Sequence, residues 1–353
     1  MRVVITGATG NVGTSLVKRL SEDERVDSIL GIARRQASLE LPKVRWAAAD
    51  VVSADLQGLF EGADAVVHLA WVIQPSHDLD VMTRINVEGS RRVFQAAAST
   101  GVRTLVHASS VGAYSPGPKD RAVSEQWPTG GVPQSFYSRH KAMVERLLDE
   151  VEGDPELRVV RLRPALIFKR EAASGIRRLF LGPLVPTRLL NSRRVPVIPR
   201  AQRLVFQAVH TDDVAEAYAL ALFTGVRGAF NITSAPVLDA PTLVDELDAR
   251  RSVPVPAWLL RGLAALTWRA RLQPTPPGWL DLGLAAPVMD GKRAREELGW
   301  TPARTSGDAL RDLLDGFGSG AGIGTPPLLP DADAPSRWRE LRDGVGARVP
   351  EGA

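Results

Sequence analysis

The stretch "TGATGNVG", residues 6–13, decides how this chain folds. It closes an apolar run, "RVVIT" at 2–6, and opens a helical pattern, "NVGTSLVKRLSE" at 11–22. Glycines at 7, 10 and 13 form a G-x-x-G-x-x-G array between the two. Gly7 permits a tight turn, Gly10 lets the backbone approach a pyrophosphate, and Gly13 allows close helix–strand packing. The unpaired N–H groups and the positive dipole end of the helix then hold an anion. A glycine triplet elsewhere is an ordinary turn. Between a first strand and a first helix it marks a dinucleotide site.

Outward from this turn, apolar runs alternate with helix-length stretches. "SILGIA" (28–33), "VRWAAAD" (44–50), "AVVHLA" (65–70), "TLVHASS" (104–110) and "RVVRLRP" (158–164) are the runs, and "VMTRINVEGSRRVFQAAAST" (81–100) is one of the helical stretches. Strands apolar on both faces and separated by helices predict an α/β fold, a doubly wound parallel Rossmann sheet with ligands at its C-terminal edge. The expected division is a dinucleotide-binding domain over 1–168 that carries the catalytic residues. A smaller, mostly C-terminal substrate-binding lobe follows over 169–317, with 205–232 returning to the core, and then a Gly/Pro-rich tail over 318–353. "TDDVAEAYALALFTG" (211–225) reads as a helix capped by Thr211 or Asp212. Residues 169–205 show no clear period.

Composition narrows the function. The 353 residues carry 44 basic and 40 acidic side chains, a net charge of +4, and only six of the basic ones are lysine. The scattered arginines form no nucleic-acid motif. Absence of cysteine removes disulfides, thiolate catalysis and Cys-ligated metals. None of the five histidines has metal-ligand spacing, so no metal is expected. His68 and His107 read as satisfied core groups, and His210 as either a substrate contact or a helix cap. The longest apolar candidate, "AWLLRGLAALTW" (257–268), is broken by Arg261 and too short to span a bilayer. With no leader pattern ahead of the first strand, a soluble cytoplasmic protein acting on a small molecule is expected, without nucleic-acid or membrane partners.

"LGIARRQ" (30–36) ends the second strand with Arg34 and Arg35, where an NAD site usually offers an acid to the ribose 2′-hydroxyl. Two arginines suit a 2′-phosphate, so NADP is the expected cofactor in preference to NAD.

These motifs, in this order, resemble the extended short-chain dehydrogenase/reductase family, which contains nucleotide-sugar epimerases, dehydratases and ketone reductases. The resemblance runs from Met1 to about Phe317. It implies cofactor contacts from Gly7, Thr9, Gly10, Asn11, Val12 and Gly13 in the turn. "AADVVS" implies Asp50 and Val51 against the adenine. "VVHLAW" implies Leu69, Ala70 and Trp71 near the cofactor, and "RINVEGS" implies that Asn86 steadies the site backbone. "VRLRPALIF" resembles the segment wrapping the nicotinamide, with Pro164, Ala165 and Ile167. "HASSVGAYSP" and "YSRHK" match the serine and tyrosine–lysine motifs. Two departures stand out. Phe168 with no following Gly-Pro breaks the usual sugar-nucleotide loop, and Val111-Gly112 replaces the acidic pair of 4,6-dehydratases. The family's long helices pack across a dimer interface, which implies a homodimer.

Hydride chemistry at a secondary alcohol or ketone needs a proton donor beside the reacting oxygen. Free tyrosine titrates near pH ~10, and a neighbouring ammonium lowers that value. Lys141, four residues after Tyr137, falls on the same helix face. The expected roles are Tyr137 as general acid/base, Lys141 lowering its pKa and binding the nicotinamide ribose, and Ser110 polarising the substrate oxygen. Tyr137 and Lys141 therefore also count among the cofactor contacts. The activity expected is reversible NAD(P)-dependent hydride transfer. The alternatives are a nucleotide-sugar epimerase that retains its cofactor and, in a different class, a non-catalytic NADP-binding regulator or scaffold.

Overall fold

The valine- and isoleucine-rich runs lie side by side in one parallel sheet. The computed structural model of the chain describes residues 1–35, 37, 39–73, 77–185, 195 and 197–333. Strands β1 (Arg2–Thr6), β2 (Ser28–Ala33), β3 (Val44–Ala48), β4 (Ala65–His68), β5 (Thr104–Ala108), β6 (Arg158–Pro164) and β7 (Gly228–Ile232) stand in the order β7-β6-β5-β4-β1-β2-β3. Every neighbouring pair is parallel. Because β1 pairs with both β2 and β4, the winding reverses there, and a crevice opens at the C-terminal ends of the strands.

Helices of eight residues or more are α1 (Asn11–Ser21), α2 (Gly89–Ser99), α3 (Phe136–Glu152), α4 (Thr211–Phe223), α5 (Ala257–Arg269), α6 (Gly278–Ala285) and α7 (Ser306–Ser319). Successive strand residues point to opposite faces, and both faces are covered. Val3, Ile5 and Val67 meet Leu16 and Leu20 of α1 and Val214 and Tyr218 of α4. Val4, Val66 and Leu105 meet Phe94 of α2 and Val144 and Leu148 of α3. This is the doubly wound architecture that the strand pattern implied.

The glycine turn is as tight as its sequence requires. Gly7 has φ +72°, and a Cβ there would lie 2.6 Å from the Ala70 nitrogen. A Cβ on Gly13 would lie 2.4 Å from the Gly7 carbonyl oxygen, so α1 can sit this close only with glycine at its start. Helix α4 uses neither of its candidate caps, Thr211 or Asp212. Its cap is His210, whose Nδ1 accepts the Asp212 amide at 3.2 Å, one residue before Thr211. An imidazole nitrogen does here what a serine or aspartate oxygen does at most helix starts. His210 Nδ1 also accepts from Arg304 and its Nε2 faces Asp312, which commits the ring to the cap rather than to a ligand. His68 is satisfied by Thr6 and Ser90, whereas His107 has no hydrogen-bond partner on either ring nitrogen.

In the later lobe, short parallel pairs join Leu166–Phe168 to Ala208–His210 and Val197–Arg200 to Arg251–Pro254. Part of "GIRRLFLGPLVPTRLLNSRRVPVIPR" (175–200), at 186–194 and 196, lies outside the described residues, as do 334–353 of the tail. The tail's described portion docks on the glycine turn, where the Thr325 hydroxyl donates to the Thr9 carbonyl at 3.0 Å.

Two arginines of β6 point from the sheet into α3. Arg163 grips the buried Glu145 through Nε at 2.8 Å and Nη2 at 2.9 Å, and Arg161 adds a bond at 3.0 Å. Burial alone would raise the Glu145 pKa, but the bonds and charges of Arg163 and Arg161 hold it at about 2 instead of its ordinary 4.5. A carboxylate with a depressed folded-state pKa stabilises the fold above its unfolded value and loses that contribution as pH falls. The linked stability, roughly 3 kcal/mol, is therefore present above pH 4.5 and disappears towards pH 2. Urea midpoints measured across that window should fall for the wild-type chain. In Glu145→Gln the Glu145-linked part of the slope should be missing, on a lower overall stability.

Candidate active site

Helix α3 begins where the Ser135 side chain accepts the Ser138 amide. Its first turns carry Tyr137, Lys141 and Glu145 on one face at intervals of four. Glu145, held by β6, fixes the rotation of that face. Ser109, at the end of β5, donates its hydroxyl to Glu145, so the first serine of "HASS" serves the helix–sheet joint. Ser110 is left on the Tyr137 side, its Oγ accepting the Gly112 amide at 3.0 Å; a Cβ on Gly112 would lie between them, 2.7 Å from Tyr137 Cε1 and 3.4 Å from Ser110 Oγ.

The Tyr137 phenol is pushed up to about 12 by burial, with the nearby Ser110 hydroxyl acting in the opposite direction. Lys141 sits well below its ordinary value, again because of burial, with Glu145 acting against the shift. Its Nζ donates to the Ala108 carbonyl at 2.6 Å and lies 3.4 Å from the centroid of the Trp71 ring. The Tyr137 ring is farther from it, at 5.8 Å. In this structure burial and Ser110 set the phenol's pKa; Lys141 is not among the groups that move it.

The cofactor candidates converge on the same crevice. The Gly7 and Ala8 amides donate to Ile32 at the end of β2, which brings the turn beside Arg34 and Arg35. Both arginines are exposed and make no ion pair among the described residues. At α1 no side chain caps the helix start and the first turn holds no acid. The amides of Asn11, Val12 and Gly13 thus present an uncapped, positively polarised end. The Asn11 side chain itself is engaged elsewhere, donating to Ile167 and accepting from Thr211. Leu69 and Ala70 bond back to Thr6 at the end of β1. Asn86, in a π-helical turn over Arg84–Glu88, accepts the Val72 amide at 2.8 Å and donates to the Val72 carbonyl at 2.9 Å, pinning the loop that carries Trp71. Asp50 takes the Val52 amide, and buried Val51 packs where a Cβ on Gly89 would go. Pro164 ends β6, and the Ala165 amide bonds to Ile232 at the end of β7. The Trp71 indole nitrogen is buried without a hydrogen-bond partner. An uncapped helix start, exposed arginines and an orphaned indole donor suit a phosphorylated dinucleotide. No group of three or more His, Asp or Glu side chains able to hold a metal occurs among the described residues.

Three contributors were not among the expected site residues. Trp279 of α6 packs on the Tyr137 ring with centroids 4.8 Å apart, and Phe180 meets Trp279 edge-on at 5.0 Å. Both come from the lobe whose pattern was illegible. Gly112 is the third, since a Cβ there would fall 2.7 Å from Tyr137 Cε1.

With this geometry, the family model described as "NAD dependent epimerase/dehydratase family" matches residues 3–233. The chain belongs to this family. This is the family grouping that the motif order implied. An uncharacterised protein of Mycobacterium tuberculosis is 29% identical over 368 residues, an alignment covering 100% of this chain but 35% of that protein. The chain thus spans about a third of the length of the first curated relatives it matches. Sterol demethylase protein B of Methylococcus capsulatus is 28% identical, with 86% of this chain and 95% of that protein covered. Among solved structures, MoeE5 in complex with UDP-glucuronic acid and NAD superposes with a TM-score of 0.67 at 21% identity, covering 90% of this chain and 98% of that one. The UDP-glucose 4-epimerase of Thermus thermophilus, in complex with NAD, gives 0.65 at 22%, covering 90% and 99%. These likenesses show that the chain shares the family's fold.

A methyl group at Gly112 would push the Tyr137 ring away from Ser110. Displacements near 1 Å at a reacting group can lower rates about a hundredfold. Gly112→Ala should keep the circular dichroism spectrum of the wild type and cut kcat by that order. Unchanged turnover would show that the ring's position is not critical.

Proposed function

We propose that the chain is a pyridine-nucleotide oxidoreductase performing reversible hydride transfer at a secondary alcohol or ketone carbon, with NADP preferred over NAD. The carrying observation is the convergence of Ser110, Tyr137 and Lys141 at the C-terminal end of β5, where a Cβ on Gly112 would lie 2.7 Å from Tyr137 Cε1 and 3.4 Å from Ser110 Oγ and where Lys141 Nζ is 5.8 Å from the Tyr137 ring. The nicotinamide nucleotide, when bound, gives or takes the hydride. The turn amides and the start of α1 would hold its pyrophosphate, Arg34 and Arg35 its 2′-phosphate, and Asp50 and Val51 its adenine.

In the reducing direction the substrate oxygen accepts a hydrogen bond from Ser110 and a proton from the Tyr137 phenol as the carbonyl becomes an alcohol. A phenol pushed up to about 12 is fully protonated at neutral pH, which suits it as the acid. The oxidising direction needs the phenolate. Positive charge near the phenol, from Lys141 or an oxidised nicotinamide ring, favours that form. Lys141 would also bind the nicotinamide ribose, for which it must share or leave the Ala108 carbonyl. We also propose that residues 1–168 form the dinucleotide-binding part and 169–317 most of the substrate-binding lobe, which brings Trp279 and Phe180 to the site.

Removal of the phenolic oxygen tests the assignment. General acid/base groups contribute about 10²- to 10⁴-fold, so Tyr137→Phe should lower kcat by at least about 10²-fold while nucleotide affinity stays within a few-fold. Unchanged turnover in that variant would refute Tyr137 as the acid, whereas an unchanged biological activity in the absence of any turnover would favour the regulator or scaffold reading.

A second reading, epimerisation through transient oxidation, is supported by a UDP-glucose 4-epimerase of Mycolicibacterium smegmatis that is 32% identical over 179 residues, covering 48% of this chain and 56% of that protein. A reductase consumes NADPH with a ketone substrate. An epimerase copurifies with tightly held nucleotide and shows no net turnover of it.

The cofactor preference rests on two exposed side chains and is separately testable. Replacing Arg34 and Arg35 by serine should weaken NADP affinity by one to two orders of magnitude and leave NAD within a few-fold, as read by nucleotide titration. Loss of two charge-assisted bonds to a phosphate accounts for a change of about that size. An unchanged NADP-to-NAD ratio would refute the phosphate clamp.

A further inference from the structure

A surface helix of a globular protein normally turns its apolar stripe to the core. Helix α5 does the reverse. None of its thirteen residues is buried. Trp258 is 74% exposed, Leu266 66%, Leu263 57% and Leu259 48%. At 3.6 residues per turn these four share one face, with Gly262 between them, and that face points to solvent. Leu272, just beyond the helix, extends the apolar surface.

The segment that carries this face is rich in arginine. From Ala249 to Leu280 there are five arginines and no aspartate or glutamate. Arg261 is tied to Asp281 at 2.8 Å, but Arg269 and Arg271, beside the apolar face, have no ion-pair partner among the described residues.

We propose that α5 docks in the plane of a bilayer leaflet rich in anionic phospholipid. Trp258 and the leucines would enter the boundary between headgroups and acyl chains, while the flanking arginines meet lipid phosphates. Tryptophan and arginine are the side chains that favour this boundary, one for its amphipathic ring and the other for its reach. A second copy of the chain is the competing occupant. It would bring the same unpaired arginines against their own kind, which costs free energy, since the neighbouring Asp281 is already engaged by Arg261. Spanning is excluded by length, since thirteen residues reach only about 20 Å, and no described helix is long and apolar enough to cross a membrane. Lying in the leaflet plane requires no such length.

The face also adjoins the candidate active site. After α5 the chain runs to Thr275, whose hydroxyl donates to the Phe180 carbonyl, and on to Trp279 against Tyr137. Trp268, near the end of α5, stacks on His77 at 4.0 Å, close to the loop leading from Trp71.

The test is sedimentation of the full chain with vesicles of phosphatidylcholine alone or mixed with phosphatidylglycerol, alongside analytical ultracentrifugation without lipid. The wild type should sediment with the mixed vesicles, much less with neutral ones, and less as salt rises. Leu263→Asp with Leu266→Asp should reduce partitioning at least about tenfold with an unchanged melting temperature. Arg269→Glu with Arg271→Glu should remove the preference for phosphatidylglycerol. Failure of the wild type to bind mixed vesicles would overturn the proposal, as would binding that survives both double substitutions. A wild-type dimer that the leucine variant converts to a monomer, with no vesicle binding, would assign the face to a second copy and overturn it as well.

Discussion

The site depends on one buried ion pair that takes no part in its chemistry. Glu145 is locked by Arg163 and Arg161 of β6 and by Ser109 of β5. A helix packed on a sheet through aliphatic contacts alone can rotate or slide by fractions of a turn at modest cost. A carboxylate fixed by three donors from two strands cannot, because any such motion strands buried charge. One turn before Glu145 is Lys141 and one turn before that is Tyr137, so the lock transmits directly to the phenol. On the other side Arg163 reaches Tyr114, whose hydroxyl donates to Asn231 of β7. Strands β5, β6 and β7 and helix α3 are thereby held in a single polar network beneath the crevice.

The network also explains the serine pair. Sequence order alone makes Ser109 and Ser110 near-equivalent. An extended backbone sends consecutive side chains to opposite sides. Once Ser109 is drawn to Glu145, Ser110 must face the crevice, where it finds Tyr137 and the Gly112 amide. Glycine at 112 is the third requirement, because the phenol ring occupies the volume of its missing side chain.

What could be read in the sequence was what depends on short spacing. The glycine turn, the alternating runs, the serine strand end and the i, i+4 tyrosine and lysine each express a local geometry, and the sheet they imply is the one found. Cooperation over long sequence separations was not legible. Glu145 and Arg163 look like ordinary members of an amphipathic helix and an arginine-rich strand. Nothing local marks Trp279 as the neighbour of a residue 142 positions earlier. From sequence the cap of α4 falls at Thr211 or Asp212, and His210 stays open between cap and substrate contact; Arg304 and Asp312 around its ring decide for the cap. His107 was expected to be satisfied, yet it stacks on His68 with both nitrogens unpartnered. A neutral ring is the form burial selects there, and its pKa is accordingly far below the ordinary value.

Burial acts on the two reactive groups in opposite directions for one reason. It disfavours the phenolate, raising Tyr137, and it disfavours the ammonium, lowering Lys141. Both shifts drive the site towards neutrality. Lys141 compensates with the Ala108 carbonyl and the face of Trp71, with Glu145 favouring the charged form. A dinucleotide entering this crevice would bring negative phosphates and ribose hydroxyls, which favour the ammonium and offer it better acceptors than a single carbonyl. An ammonium so restored, one turn from the phenol, would in turn favour the phenolate. On this argument the acid form of Tyr137 belongs to the free protein, and the capacity to act as a base arises only with the cofactor in place. The same low-dielectric pocket that suppresses ionisation in the absence of ligand would then strengthen each of these charge pairings once it is filled.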